Sequence, residues 1–191
     1  MYYFLKILLY IPLRLFCWSK IQNKKILPKK GEKMIIVCNH QSNWDVVVLF
    51  LSLPYKIRFI GKKELANNKF TKWFWKKLGV ILIDRENVSI DSMKEILRAL
   101  KNNEIIMIFP EGTRNRTDNF LLDFKQGAEV IALKTNTPVL IMSLNRKVRP
   151  FKINKLSILE KYVCEKGIDN TEKIKQKILN QLKGENNERN I

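Results

Sequence analysis

Met34-Ile35-Ile36-Val37-Cys38-Asn39-His40-Gln41-Ser42-Asn43-Trp44-Asp45 begins as an unbroken apolar run and turns polar at Asn39. Five consecutive apolar residues, three of them β-branched, suit a strand covered on both faces, as in a parallel sheet. Residues 44–52 that follow read as a buried helix beginning near Asn43. Strand, short polar loop and helix make the repeating unit of an α/β fold. The alternation continues along the chain. Strands are expected at 56–60, 80–83, 105–109, 138–144 and 156–163, and helices at 69–78, from Ser89 onward, at 127–135 and at 170–183. The helix after Ser89 carries Ile90, Met93, Ile96, Leu97 and Leu100 at helical spacing. The expected fold class is α/β: a mixed, mostly parallel sheet flanked by helices, with an N-terminal membrane-associating helix.

His40 is the only histidine of the chain, and Asp45 follows five residues later. A carboxylate near an imidazole holds one ring nitrogen as N–H and leaves the other free to accept a proton, which is the arrangement of a general base. Asp45 falls in the first turn of the expected helix, where the helix dipole favours a negative charge. A histidine beside an aspartate is more often a hydrogen-bonded surface group, so the pair does not decide the matter alone. A second strand run, residues 105–109, ends in Pro110-Glu111-Gly112-Thr113-Arg114. Proline stops the strand, glycine permits an unusual turn, and arginine stands at the exit. Strand exits in open α/β sheets gather at one edge and build the site. The planar fork of arginine suits a phosphate monoester, although the same five residues would also serve as an ordinary polar turn. Cys38, two residues before His40, is read as a small buried apolar residue and not as a nucleophile.

Together, Asn-His-Gln-Ser-Asn-Trp-Asp (39–45) and Phe-Pro-Glu-Gly-Thr-Arg (109–114) resemble the phospholipid/glycerol acyltransferase family, most closely its 1-acylglycerol-3-phosphate acyltransferase type. Gly79-Val80-Ile81-Leu82-Ile83-Asp84-Arg85, Phe124-Lys125-Gln126-Gly127 and Thr137-Pro138-Val139 are similar to further blocks of that family and stand in its order. The resemblance covers about residues 24–145. It implies an O-acyltransferase that moves a fatty acyl group from a thioester to the sn-2 hydroxyl of 1-acylglycerol 3-phosphate, giving phosphatidic acid in phospholipid biosynthesis. It also implies His40 as base, Asp45 as its partner and Arg114 on the phosphate. Lys125, Arg85 and Lys62 are candidates for added positive charge there. Asn39, Glu111, Gly112 and Thr113 would support the loops, with Glu111 as an anchor and not a reacting group. Acyl-coenzyme A and acyl-acyl-carrier protein both remain open as donor. Glycerol 3-phosphate or the lyso form of an amino-acid-containing lipid remain open as acceptor. No cofactor is expected, and one histidine with three unpaired cysteines (Cys17, Cys38, Cys164) makes a metal site or a disulfide framework unexpected.

Charge points to an anionic partner: 36 basic against 18 acidic residues give a net of +18. The first 31 residues hold seven Lys/Arg and no acid, interleaved with apolar side chains. Basic plus apolar favours a membrane surface over nucleic acid. Residues 2–18 are nearly all apolar or aromatic, yet seventeen helical residues reach only about 25 Å against a hydrocarbon core of about 30 Å. An interfacial helix is expected, with Tyr2, Tyr3, Tyr10 and Trp18 at headgroup level; a helix merely packed on the domain is the plainer reading. No small-residue cleavage site follows, so a secretory signal is not expected. Residues 69–78 pack aromatics among four lysines and read as a second membrane-facing helix, the wall of an acyl groove, a base-stacking surface or simply a core helix. Residues 145–155 carry Arg146, Lys147, Arg149, Lys152 and Lys155 as a third basic cluster. The expected organisation is an N-terminal interfacial helix (1–20), an acyltransferase domain (21–184) and a polar tail (185–191). The expected partners are a lysophospholipid, an acyl donor and an anionic membrane at the cytoplasmic face of the cell membrane, without nucleic acid. Rivals from other classes are a basic nucleic-acid-binding protein and a catalytically silent membrane-surface protein.

Overall fold

A computed structural model describes residues 2–84, 89–145, 148 and 151–187. The elements run α1 (Tyr2–Phe16), β1 (Trp18–Gln22), β2 (Met34–Val37), α2 (Asn43–Ser52), β3 (Ile57–Lys62), α3 (Lys69–Lys77), β4 (Ile81–Ile83), α4 (Ile90–Lys101), β5 (Ile105–Ile108), α5 (Gly127–Thr135), β6 (Val139–Leu144), β7 (Ile153–Tyr162) and α6 (Asn170–Asn187). Short 3₁₀ turns at Lys24–Ile26 and Lys63–Ala66 complete them.

Among the described residues, seven strands form one sheet in the order β1-β7-β6-β2-β5-β3-β4. The central strands β6, β2, β5, β3 and β4 are mutually parallel, and β7 pairs antiparallel with β6, so the sheet is mixed. Every residue of β2 is buried, which is why its sequence reads as a continuous apolar run and not as an alternation. Met34, Ile36 and Cys38 face the core under α1 and α2, with Trp75 and Leu78 of the α3 region packed against it. Ile35 and Val37 face the opposite core, closed by α4, α5 and α6. Helices therefore cover both faces, and the loops after β2, β5 and β3 leave the same edge.

At both ends of the chain the structure differs from the sequence reading. The N-terminal helix ends at Phe16, and Trp18, expected within it, starts strand β1, which pairs in parallel register with β7. Phe151 N–H donates to Phe16 O and Asn154 Nδ2 donates to Trp18 O, so the chain is captured by the sheet edge once Cys17 is buried. The division expected at residue 20 thus falls inside a strand. At the other end, α6 continues through Gly184 to Asn187 where a tail from 185 is expected. Glu185 is buried there and accepts from Ser157 Oγ and Gln181 Nε2, which ties the last turn to β7. Arg85 and the cluster residues Arg146, Lys147 and Arg149 lie outside the described residues. Among the described residues no helix is long and apolar enough to cross a membrane.

Candidate active site

β2 and β5 are adjacent and in register, Val37 opposite Ile108, so their two exit loops leave side by side. His40 stands three residues past β2 and Glu111 three past β5, and the two loops are stitched together by backbone. His40 N–H donates to Glu111 Oε1 at 2.7 Å, and Asn115 N–H donates to His40 O at 2.7 Å. The imidazole lies on the Phe109 ring with centroids 4.0 Å apart and planes at 17°. Stacking and main-chain anchoring together fix the ring plane.

Asp45 fixes the ring's proton. His40 Nδ1 is 2.9 Å from Asp45 Oδ2, and the same oxygen accepts Gln41 N–H at 2.6 Å and Ser42 N–H at 2.8 Å. A carboxylate oxygen only accepts, so the shared proton belongs to Nδ1 and Nε2 is left as the basic nitrogen. The aspartate is buried, and its position comes from local helix chemistry. Ser42 caps α2, Asp45 is the third helical residue, and the two form a reciprocal capping box. One side chain thus starts the helix and orients the imidazole.

Arg114 reaches the same helix end. Its Nη1 donates to Oδ1 of Asn43, the first residue of α2, at 2.9 Å. A guanidinium beside a helix N-terminus is a place where an anionic group is doubly favoured. Gly112 adopts φ +67°, and a β-carbon there would meet the Lys125 side chain at 2.9 Å, so glycine both makes the turn and lets the lysine lie across it. Lys125 N–H in turn donates to Pro110 O at 2.8 Å.

Glu111 is buried, with His40 N–H on one oxygen and Leu122 N–H on the other at 2.8 Å. Burial pushes its carboxyl up to about 7, against the two backbone donors that hold it down, with Asp45 adding a further push upward. Below the ordinary carboxylate value both folded and unfolded chains carry the proton, and the group costs nothing. Between that value and about 7 only the unfolded chain is ionised, so stability falls as pH rises. Measured against Glu111→Gln by urea unfolding, the wild type should lose on the order of 3 kcal/mol of relative stability between pH 4.5 and 7. A difference independent of pH would contradict this.

A sequence profile described as Acyltransferase matches residues 19–145, two thirds of the chain. The chain belongs to the acyltransferase family. It is 39% identical over 121 residues to the 1-acyl-sn-glycerol-3-phosphate acyltransferase of Bacillus subtilis (strain 168), a match covering 63% of this chain and 59% of that one. It is 37% identical over 123 residues to the enzyme of the same name from Helicobacter pylori (strain J99), covering 63% and 52%. The chain thus spans little more than half the length of these relatives. Among solved structures, the 1-acyl-sn-glycerophosphate acyltransferase of Thermotoga maritima superposes with a TM-score of 0.70 at 26% identity, covering 89% of this chain and 73% of that one. The same mixed, mostly parallel sheet flanked by helices is the shared fold.

Within this acyltransferase domain, the residues expected at the site separate into three groups. His40, Asp45, Glu111 and Arg114 meet around the first turn of α2, with Gly112 and Lys125 on the adjoining loop. Asn39 lies beneath them, fully buried, its side chain clamping Leu144 N–H at 2.8 Å and Leu144 O at 3.0 Å. Thr113 is exposed on the loop. Lys62 ends β3 on the same edge, across β5 from β2, and no described contact joins it to the others. Asn43, Phe109 and Asn115 were not singled out from sequence. Asn43 lies inside the histidine motif, but only the fold reveals that it holds an arginine 71 positions away. Cys38 is fully buried and its thiol is pushed well above the ordinary value, chiefly by desolvation, so it offers no thiolate. On the α4–α5 side, an apolar cavity of about 260 Å³ lined by Ile60, Ile83, Met93, Ile96 and Ile131 opens beside Gly112 and Lys125.

Proposed function

We propose that the protein is a 1-acylglycerol-3-phosphate O-acyltransferase, moving a fatty acyl group from an acyl thioester to the sn-2 hydroxyl and giving phosphatidic acid for phospholipid biosynthesis. One observation carries the reading: an imidazole with an oriented proton and a guanidinium both stand at the first turn of α2. An alcohol holds its proton far above neutral pH, so it attacks only as that proton leaves. His40 Nε2 takes the proton, the acceptor oxygen bonds to the thioester carbonyl carbon, and the C–S bond breaks. The thiolate departs and the imidazolium returns its proton to solvent or to the leaving group. Asp45 holds the imidazolium while it exists. No enzyme nucleophile takes part. Arg114 holds the acceptor's phosphate with Lys125 nearby, and the apolar cavity beside Gly112 suits part of an acyl chain. Acyl-coenzyme A and acyl-acyl-carrier protein fit the basic rim equally.

The acceptor comes from a membrane, and α1 supports that route. Tyr2, Leu9 and Leu13 pack against the domain, while Phe4, Ile7, Leu8, Ile11 and Leu15 form an exposed apolar stripe at helical spacing. The helix is docked and still has an unpartnered apolar side, which fits an interfacial anchor at the cytoplasmic face of the membrane better than a span. Residues up to the end of α1 then serve as the anchor, and the sheet and its helices as the catalytic domain.

The test is acyl transfer to a panel of acceptors, with both donor types: 1-acylglycerol 3-phosphate, glycerol 3-phosphate, a lyso-amino-acid lipid and 1-acylglycerol without phosphate. The first should be used best and the last hardly at all. Equal use of the phosphate-free acceptor would overturn the assignment. Arg114→Ala should raise the KM for 1-acylglycerol 3-phosphate by about tenfold or more, the loss of one charge-assisted contact, and leave the donor KM within about twofold. An unchanged acceptor KM would remove Arg114 from the phosphate.

A further inference from the structure

The helix α3 presents a surface that acyl transfer leaves unused. Phe70 is 71% and Trp73 50% exposed, far more than rings of that size usually are. On a helical wheel Trp73 falls between Lys69 and Lys77, with Lys72 and Lys76 beyond them, and all four lysines are exposed. There is no acid in the helix, and among the described residues none of these lysines is in an ion pair. The aromatic pair is not displayed by fraying. Asn68 and Thr71 close a capping box at the N-terminus, Trp75 Nε1 donates to Leu65 O at 3.0 Å, and Trp75 and Leu78 pack inward. Rings at the height of lysine ammonium groups match the boundary between acyl chains and phosphates, while lysine is depleted at protein–protein interfaces.

Topology places this face beside the site. α3 follows β3 through one short turn, so its first residues lie at the edge where β2, β5 and β3 end. A second exposed aromatic group stands at that edge on the opposite flank: Trp18 at the start of β1, and Phe151, whose ring packs on Phe16 with centroids 5.2 Å apart. The exits of β2 and β5 lie between the two flanks in the strand order.

Resting on the membrane-bound acyl-transfer reading, we infer that Phe70, Trp73 and the four lysines of α3 are a second contact with an anionic bilayer. With the Trp18–Phe151 flank they hold the His40 mouth against the headgroups. A lysophospholipid then reaches Nε2 and Arg114 without leaving the interface.

The experiment compares the full chain with Phe70→Ser/Trp73→Ser, and with Lys69→Gln/Lys72→Gln/Lys76→Gln. Each protein is co-sedimented with phosphatidylglycerol–phosphatidylcholine vesicles, with phosphatidylcholine vesicles and with duplex DNA. Turnover is read on a long-chain acceptor in vesicles and on a short-chain acceptor that is soluble as monomer. Both variants should bind anionic vesicles about tenfold or more weaker, as expected for losing a buried ring or several headgroup charges. Vesicle turnover should fall with binding, while turnover on the soluble acceptor stays within about twofold of the wild type. Unchanged vesicle binding would overturn the inference. So would an equal loss on both acceptors, or a loss confined to DNA. If the wild type acylates no acceptor, the proposed function fails, and vesicle binding still decides the role of α3 by itself.

Discussion

His40→Ala should lower kcat for acyl transfer by at least about a hundredfold, the usual lower contribution of a positioned general base. The chain has no second histidine to substitute for it. The loss should be chemical and not a collapse of the site, because the loops are joined through the backbone of residue 40. Its N–H on Glu111 and its carbonyl on Asn115 are both available to alanine. Asp45 would still hold Gln41 N–H and Ser42 N–H, so α2 keeps its start. Acceptor KM should therefore move little while kcat falls, the signature of an interaction made in the transition state. Steady-state rates on 1-acylglycerol 3-phosphate, with thermal unfolding as control, check this. A variant turning over at the wild-type rate would take the imidazole out of the reaction.

Asp45→Asn should cost on the order of a hundredfold or more in kcat for a different reason. An asparagine oxygen in the place of Oδ2 can still accept Gln41 N–H, Ser42 N–H and the Nδ1 proton, with its amide group where Ser42 Oγ now meets Oδ1, so the tautomer is kept. What is lost is the negative charge, which leaves the imidazolium formed during the reaction unsupported. Asp45→Ala should add a helix-capping penalty of about 1 kcal/mol, which the asparagine variant largely avoids. A large loss of kcat with little change in unfolding for Asn, and a further loss of stability for Ala, separates the carboxylate's charge from its capping role. Equal activity of wild type and Asp45→Asn would show that the imidazolium needs no negative charge beside it.

The strands that carry the site were legible because they are buried on both faces. Residues 34–37 and 105–108 have no polar member, and a run of that kind between turn residues has few other uses. The start of α2 was legible where the polar loop gives way to an apolar run with Asp45 in the first turn, while the reciprocal capping by Ser42 emerged only from the structure. Strand β1 was not, since Trp-Ser-Lys-Ile-Gln is a half-exposed edge strand directly behind a long apolar helix, and nothing in the local pattern separates the two. The contact between Arg114 and Asn43 is set by the pairing of β2 with β5, which spacing alone does not encode. Glu185 reads as part of a polar tail because its partners, Ser157 and Lys155, lie about thirty residues earlier and meet it only through the packing of α6 on the sheet.

The most direct test of the account follows one labelled acyl group. Purified protein is mixed with a labelled acyl thioester, with and without 1-acylglycerol 3-phosphate in anionic vesicles, and label is counted in lipid and on protein. Direct attack by the acceptor predicts label in phosphatidic acid over many turnovers, and none held covalently by the chain when the acceptor is left out. No transfer to the lipid, or one equivalent of label fixed on the protein before the acceptor is added, would contradict it.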